Sequence, residues 1–135
     1  MFDSWNWEEW YSALEKPAWT PTGETIGAIW GVLYPVIFLS FGYVFYKVYI
    51  RKFPKKVLAP FVINLIANFL FTPLLFGLKN VPLASIDILV ALGTIVWGIR
   101  AIYKYSPFVA WAQVPYLAWV ILATLLQLSI LILNL

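Results

Sequence analysis

Residues Val57 to Leu78 read VLAPFVINLIANFLFTPLLFGL, a run without one charged side chain. A hydrocarbon core of about 30 Å takes about 20 residues of helix, so this run is long enough to cross a bilayer. A barrel strand would alternate apolar and polar residues over about 10 positions, which this run does not do. In lipid, such a continuous segment can satisfy its own backbone groups only as a helix. The same reading extends outward on both sides. Ile26 to Tyr46 carries no charge, Val81 to Ile99 carries one acid, Asp87, and nothing from Ser106 to Leu135 is charged. The sequence therefore predicts an all-α integral membrane bundle of four transmembrane helices. The spans lie near residues 26–46, 57–78, 81–99 and 112–134. A Trp-rich interfacial cap segment is expected over residues 1–23, with the bundle occupying 24–135.

Composition supports that solvent. Of the 135 residues, 63% are hydrophobic and 11% charged, far from the roughly half and quarter of soluble domains. The chain has no Cys and no His, which excludes thiolate and imidazole metal sites, axial haem ligation by either, Cys nucleophiles and His-based triads. No metal site and no required cofactor are expected. The net charge of +3 comes from basic residues scattered between apolar runs rather than from a patch, so no nucleic-acid partner is expected. The first twenty-odd residues are acidic and Trp-rich and do not read as a signal peptide.

Polar residues inside spans usually face other helices or a cavity. Asn64, Asn68 and Phe71 share one helical face. Ala84, Asp87, Ala91, Thr94 and Gly98 form a stripe of small and polar residues on the third span. Ala112, Tyr116, Trp119, Ala123, Gln127 and Asn134 fall within an arc of about 80° on the last. Close packing and pocket formation both account for such stripes. Gly27 and Gly31 form a GxxxG pair, a candidate helix-contact surface. Pro35 and Pro73 lie inside spans, where proline bends a helix and frees carbonyls.

The N-terminal segment Trp10-Tyr11-Ser12-Ala13-Leu14-Glu15-Lys16-Pro17-Ala18-Trp19-Thr20-Pro21, followed by Trp30-Gly31-Val32-Leu33-Tyr34, resembles the WYxxLxKPxWxP…WxxLY signature of the tryptophan-rich sensory protein/translocator family. The resemblance continues through Asn68, Pro73, Phe76-Gly77, Ala84, Asp87, Pro115-Tyr116, Trp119 and Asn134. It departs at Thr22, where a second Pro is usual, at Phe71, where Trp is common, and at Gln127, where Asn is usual. The family has five membrane helices, the first before this signature, whereas only nine residues precede Trp10 here. The first family helix is therefore expected to be lacking. A second subunit, as a homodimer, is expected against the flank this leaves, and crosslinking in native membranes would detect it.

The resemblance implies a membrane receptor or sensor for porphyrin-type tetrapyrroles, such as protoporphyrin IX, and related hydrophobic ligands, with transport or stress sensing as consequences. It implies ligand-binding roles for Tyr11, Pro21, Trp30, Asn68, Phe71 and Trp119. Any porphyrin photo-oxidation would fall to Trp30 and Trp119, since no conventional catalytic residue is identified. The sterol-recognition consensus of animal members lacks its Tyr and basic residue here, so tetrapyrroles are expected rather than cholesterol. The alternative is a small four-helix secondary transporter using Asp87 for ion coupling.

Charge also sets an expected orientation for this multi-pass protein. Lys47, Arg51, Lys52, Lys55, Lys56, Arg100 and Lys104 lie in the first and third connections, leaving Lys16 and Lys79 on the other side. By the positive-inside rule the basic loops face the cytoplasm and both termini face outward. A membrane-impermeant thiol reagent applied to intact cells should label Ser12→Cys and not Ser106→Cys; labelling of position 106 alone would reverse the assignment.

Overall fold

The structure, a computed structural model, describes residues 13–134. Helix α1 spans Gly23–Tyr49. It starts where the hydroxyl of Thr22 accepts from the Thr25 amide at 3.2 Å, so the residue that departs from the Pro-Pro pattern serves as an N-cap. It ends where Arg51 adopts a left-handed φ of 62° and the Lys52 amide donates to the Lys47 carbonyl at 2.8 Å. Pro35 is accommodated within it.

A 3₁₀ turn over Lys55–Val57 leads into α2, Leu58–Thr72. Pro73 has no amide hydrogen to continue the α pattern, and the helix widens there into a π-helical turn over Pro73–Gly77. Helix α3 spans Val81–Tyr103 and is capped by Asn80, whose side-chain oxygen accepts from the Leu83 amide at 2.9 Å. The short α4, Pro107–Ala112, is capped by Ser106 and followed by α5, Val114–Leu133. Among the described residues four segments are long and apolar enough to cross a membrane, Glu24–Tyr49, Lys55–Leu75, Val81–Tyr103 and Pro107–Leu133. The last begins earlier than the 112–134 read from sequence, because the break falls inside it. Pro115 cannot donate to a preceding carbonyl, so the helix stops at Gln113 and restarts.

Helices α2 and α3 pack along their length, as do α3 and α5, whereas α1 touches its neighbours more sparingly. Its contact stripe is Leu33, Ile37, Phe41, Val44 and Val48, spaced three or four apart along one face. This stripe joins Val57, Phe61, Ile95, Ile102, Val109 and Tyr116 in the core at the basic-loop end of the bundle. A second core at the other end comprises Leu75, Val81, Ala84, Leu126 and Ile130 and contains no α1 residue. The first turns of α1 therefore pack on the bundle only through half-buried side chains, Ile26, Ile29 and Trp30. Large apolar side chains such as Leu39, Ile66, Phe69, Ile86 and Leu125 are exposed, as helices bathed in lipid require.

Since lipid tails are as apolar as leucine, such helices associate through close packing rather than by leaving water. Among Gly27, Gly31, Gly42, Gly93 and Gly98 the tightest approach is at Gly98, where an added Cβ would lie 3.3 Å from two ring carbons of Phe61. Phe61 is wholly buried and stands edge-on to Phe41, 4.8 Å between centroids, so it has nowhere to retreat. Gly27 and Gly31, the sequence's GxxxG pair, would meet nothing within 4 Å and face outward. We expect Gly98→Val to destabilise the bundle by about 1–3 kcal/mol through overpacking. Gly93→Ala, in open space, should not destabilise it. Thermal unfolding in detergent compares the two, and equal stabilities would remove the close-packing account.

Candidate functional site

A cavity of about 320 Å³ opens between the N-terminal half of α1, the C-terminal half of α2, the N-terminal half of α3 and α5. The placement follows from the packing just described. The basic-loop core holds α1 against the other helices, and toward the other end α1 contributes only half-buried side chains, Ile26, Trp30 and Tyr34, to the cavity wall.

The floor is polar and hydrogen-bonded. The Tyr116 hydroxyl, on a side chain only 1% exposed, donates to Asn64 Oδ1 at 3.0 Å and accepts from Asn68 Nδ2 at 2.9 Å. Asn64, completely buried, donates through Nδ2 to the Ala91 carbonyl at 2.9 Å and to Thr94 Oγ1 at 3.2 Å. Thr94 in turn donates to the Val90 carbonyl at 2.7 Å, one turn back on its own helix. Tyr34 reaches from α1 to Asn68 Oδ1 at 3.4 Å, a longer contact. One network thus joins α1, α2, α3 and α5. On α3, Ser85 and the Val81 carbonyl accept from Gln127 Nε2 at 3.2 and 3.4 Å, a second polar tie at the other end of the cavity.

The walls are aromatic. Trp30 stacks on Tyr34 with centroids 4.8 Å apart and meets Trp119 nearly at right angles, 87°, with centroids 6.3 Å apart. Phe71, Ala67, Ile88 and Val120 complete the apolar lining. Two buried polar atoms on lining residues, Trp119 Nε1 and Asp87 Oδ2, have no hydrogen-bond partner among the described residues. Asp87 is only 8% exposed and set into the cavity wall. Among the described residues no group of His, Cys, Asp or Glu could hold a metal ion.

The structure gathers Trp30, Asn68, Phe71 and Trp119 around this one cavity. Pro21 is half-buried, ahead of α1, and does not line it. Tyr11 lies outside the described residues. Sequence reasoning did not assign site roles to Tyr34 or Tyr116, although the signal existed. Tyr34 follows Trp30 by four residues, and Tyr116 precedes Trp119 by three, each one helical turn away. It passed over Gln113 altogether. That residue, fully buried at the break between α4 and α5, donates to Ser40 Oγ at 2.7 Å and fastens the last span to α1.

Outside the cavity, Asn134 clasps the N-terminal segment. Its Oδ1 accepts from the Glu15 amide at 3.0 Å, and its Nδ2 donates to the Glu15 carbonyl at 2.9 Å. Thr20 closes a turn by donating both its amide and its hydroxyl to the Pro17 carbonyl, at 3.1 and 2.6 Å.

Four apolar spans around an aromatic cavity with a polar floor define a multi-pass helical membrane protein. The sequence model of the TspO/MBR family matches residues 1–133, and the chain belongs to that family. It is 41% identical over 125 residues to the tryptophan-rich protein TspO of Bacillus cereus, covering 93% of this chain and 80% of that one. It is 35% identical over 137 residues to the TspO protein of Archaeoglobus fulgidus, covering 99% and 86%. With the human translocator protein it shares 32% identity over 123 residues, covering 87% and 70%.

The Tyr116 hydroxyl is the node whose removal is most informative. Interhelical hydrogen bonds in membranes average about 0.6 kcal/mol each, so Tyr116→Phe, losing two, should cost about 1 kcal/mol. Unfolding by graded SDS measures this. The comparison is Ser129→Ala, which loses only a bond to the Leu125 carbonyl of its own helix. A Tyr116→Phe protein as stable as wild type would mean the network does not hold the floor together.

Proposed function

We propose that the cavity binds porphyrin-type tetrapyrroles and related flat hydrophobic molecules, and that the protein is a membrane-embedded receptor or sensor for them. The observation that carries this reading is the convergence of Trp30, Tyr34, Phe71, Tyr116 and Trp119 on one cavity. Aromatic walls favour a large flat ligand, each offset-stacked or edge-to-face pair contributing about 0.5–1.5 kcal/mol beyond the area buried. A volume near 320 Å³ is at the small end for ligand sites, so a macrocycle would enter edge first, with part of it left outside. The unpartnered Trp119 N–H and the Asn68 amide offer orienting hydrogen bonds. No metal ligation is needed. Transport or stress signalling would follow from occupancy, and the name of the human relative, translocator protein, accords with movement of a ligand. Photo-oxidation of a bound porphyrin would fall to Trp30 and Trp119, the two indoles of the cavity wall.

Asp87 supports a second reading, ion-coupled transport. No hydrogen bond or ion pair to either of its carboxylate oxygens is found among the described residues, and a buried carboxylate within a span is costly unless it has a use. The two readings separate experimentally. Porphyrin titrations followed by Trp fluorescence should show affinity falling about 2- to 12-fold in Trp30→Leu and Trp119→Leu, the equivalent of one lost stacking pair. Trp111→Leu, exposed on α4 away from the cavity, should bind as wild type. Equal affinity in all three would remove the site assignment. Loss of pH-gradient-driven porphyrin movement in proteoliposomes on Asp87→Asn would favour the transporter over the receptor.

A further inference from the structure

A second groove, of about 370 Å³, lies at the basic-loop end of the bundle, remote from the aromatic cavity. Three cations border it: Lys56 from the 3₁₀ turn that enters α2, Arg100 in the last turn of α3, and Lys104, which caps that helix. Trp97 and Tyr105 border it as well. Trp97, Arg100 and Lys104 are spaced three and four apart, which puts them on one face of α3 and its extension, with the indole about one turn deeper toward the apolar segment. The Lys104 ammonium sits 5.4 Å from the Tyr105 ring centroid.

Among the described residues no acid stands at this end of the bundle. The acids of the chain are Asp3, Glu8, Glu9, Glu15 and Glu24 near the N-terminus, and Asp87. Between Thr25 and Leu135 the only carboxylate side chain is Asp87, which is buried in the wall of the other cavity. Glu24 is in the first turn of α1, and the Glu15 backbone is held by Asn134 at the end of α5, so both sit at the opposite end of the bundle. Three cations bordering one groove, with no acid beside them among the described residues, repel one another, and an added anion would relieve that.

We propose that this groove binds the phosphate headgroup of an anionic phospholipid. Arg100 offers a planar fork of donors suited to phosphate oxygens, and Lys56 and Lys104 add point charges at the rim of the same groove. The groove opens where α3 leaves its apolar stretch, which is the depth of a lipid headgroup. Trp97, 47% exposed, is an amphipathic ring at the level where the glycerol and upper acyl chain would lie. That apolar side favours a phosphate that carries a lipid tail over a free phosphate ion. Basic pockets between membrane helices are a known means of recognising such headgroups.

The test is binding of a fluorescent phosphatidylglycerol to the full chain in nanodiscs of phosphatidylcholine, with unlabelled phosphatidylglycerol or inorganic phosphate as competitors. At about 1 kcal/mol for each basic residue near an anionic surface, Arg100→Gln/Lys104→Gln should weaken binding roughly 10- to 30-fold. Lys47→Gln/Lys52→Gln removes two charges from the same end but outside the groove, and should weaken it less than 3-fold. Trp97→Ala should weaken the lipid and leave the weak competition by inorganic phosphate unchanged. Equal losses in the two double variants would mean a diffuse surface charge and overturn the site. So would wild-type protein that shows no preference for phosphatidylglycerol over phosphatidylcholine. Inorganic phosphate competing as effectively as the lipid would overturn the lipid assignment. Circular dichroism and unfolding of each variant confirm that it is folded before its affinity is compared.

Discussion

Everything at the centre of this bundle turns on one hydroxyl group. Tyr116 lies where α2, α3 and α5 come together, and its oxygen both donates and accepts between two asparagines of α2. In a medium without water those amides have few other places to turn, so the rotation of each helix about its own axis is constrained by the need to present them to one another. Asn64 extends the arrangement to α3 through a backbone carbonyl and Thr94, and Asn68 extends it to α1 through Tyr34. The network is therefore an alignment device before it is a binding feature.

The same constraint explains why a cavity exists above it. With its fully buried stripe spent on the basic-loop core, α1 adds no residue to the core at the other end and packs its first turns only through half-buried side chains such as Ile26 and Trp30. The resulting gap is lined by the aromatic Trp30 and Trp119 and by the small Ala67, Ala91 and Ala123. A bundle packed equally along its length would have closed it. The site is thus a product of uneven packing, with the polar floor defining its depth and Gln113, tied to Ser40, holding the last span to the first.

The architecture was legible in the sequence because lipid leaves few choices. A charge-free run such as Val57 to Leu78 has to be a helix, and the period of 3.6 then shows that Asn64 and Asn68 share a face and that Tyr116 and Trp119 do too. Which partner each residue takes was not legible, since that depends on how neighbouring helices are rotated and offset. Tyr116 and Gln127 both sat on a polar arc, yet one became the centre of a network and the other a tie to Ser85. The glycines illustrate the limit well. Gly27 and Gly31 carried the familiar spacing and face outward, while the close approach fell to Gly98, whose importance rests on Phe61 from another helix. The start of the last span was hidden for a different reason. With no charge from Ser106 onward, nothing in composition marked where the chain re-enters the apolar layer, and the break that Pro115 imposes lies within the span rather than at its edge.

The clasp of Asn134 on Glu15 joins positions 119 residues apart, and it sets an order of events. Membrane helices are delivered to the bilayer in sequence, so the segment leading into α1 leaves the ribosome long before α5 does. Until that last helix is in place, the amide and carbonyl of Glu15 lack the side chain that fixes them. The earliest-made part of the described chain therefore acquires its final position among the latest, and any quality-control step that senses a loose N-terminal segment would be reading whether the last helix has been inserted.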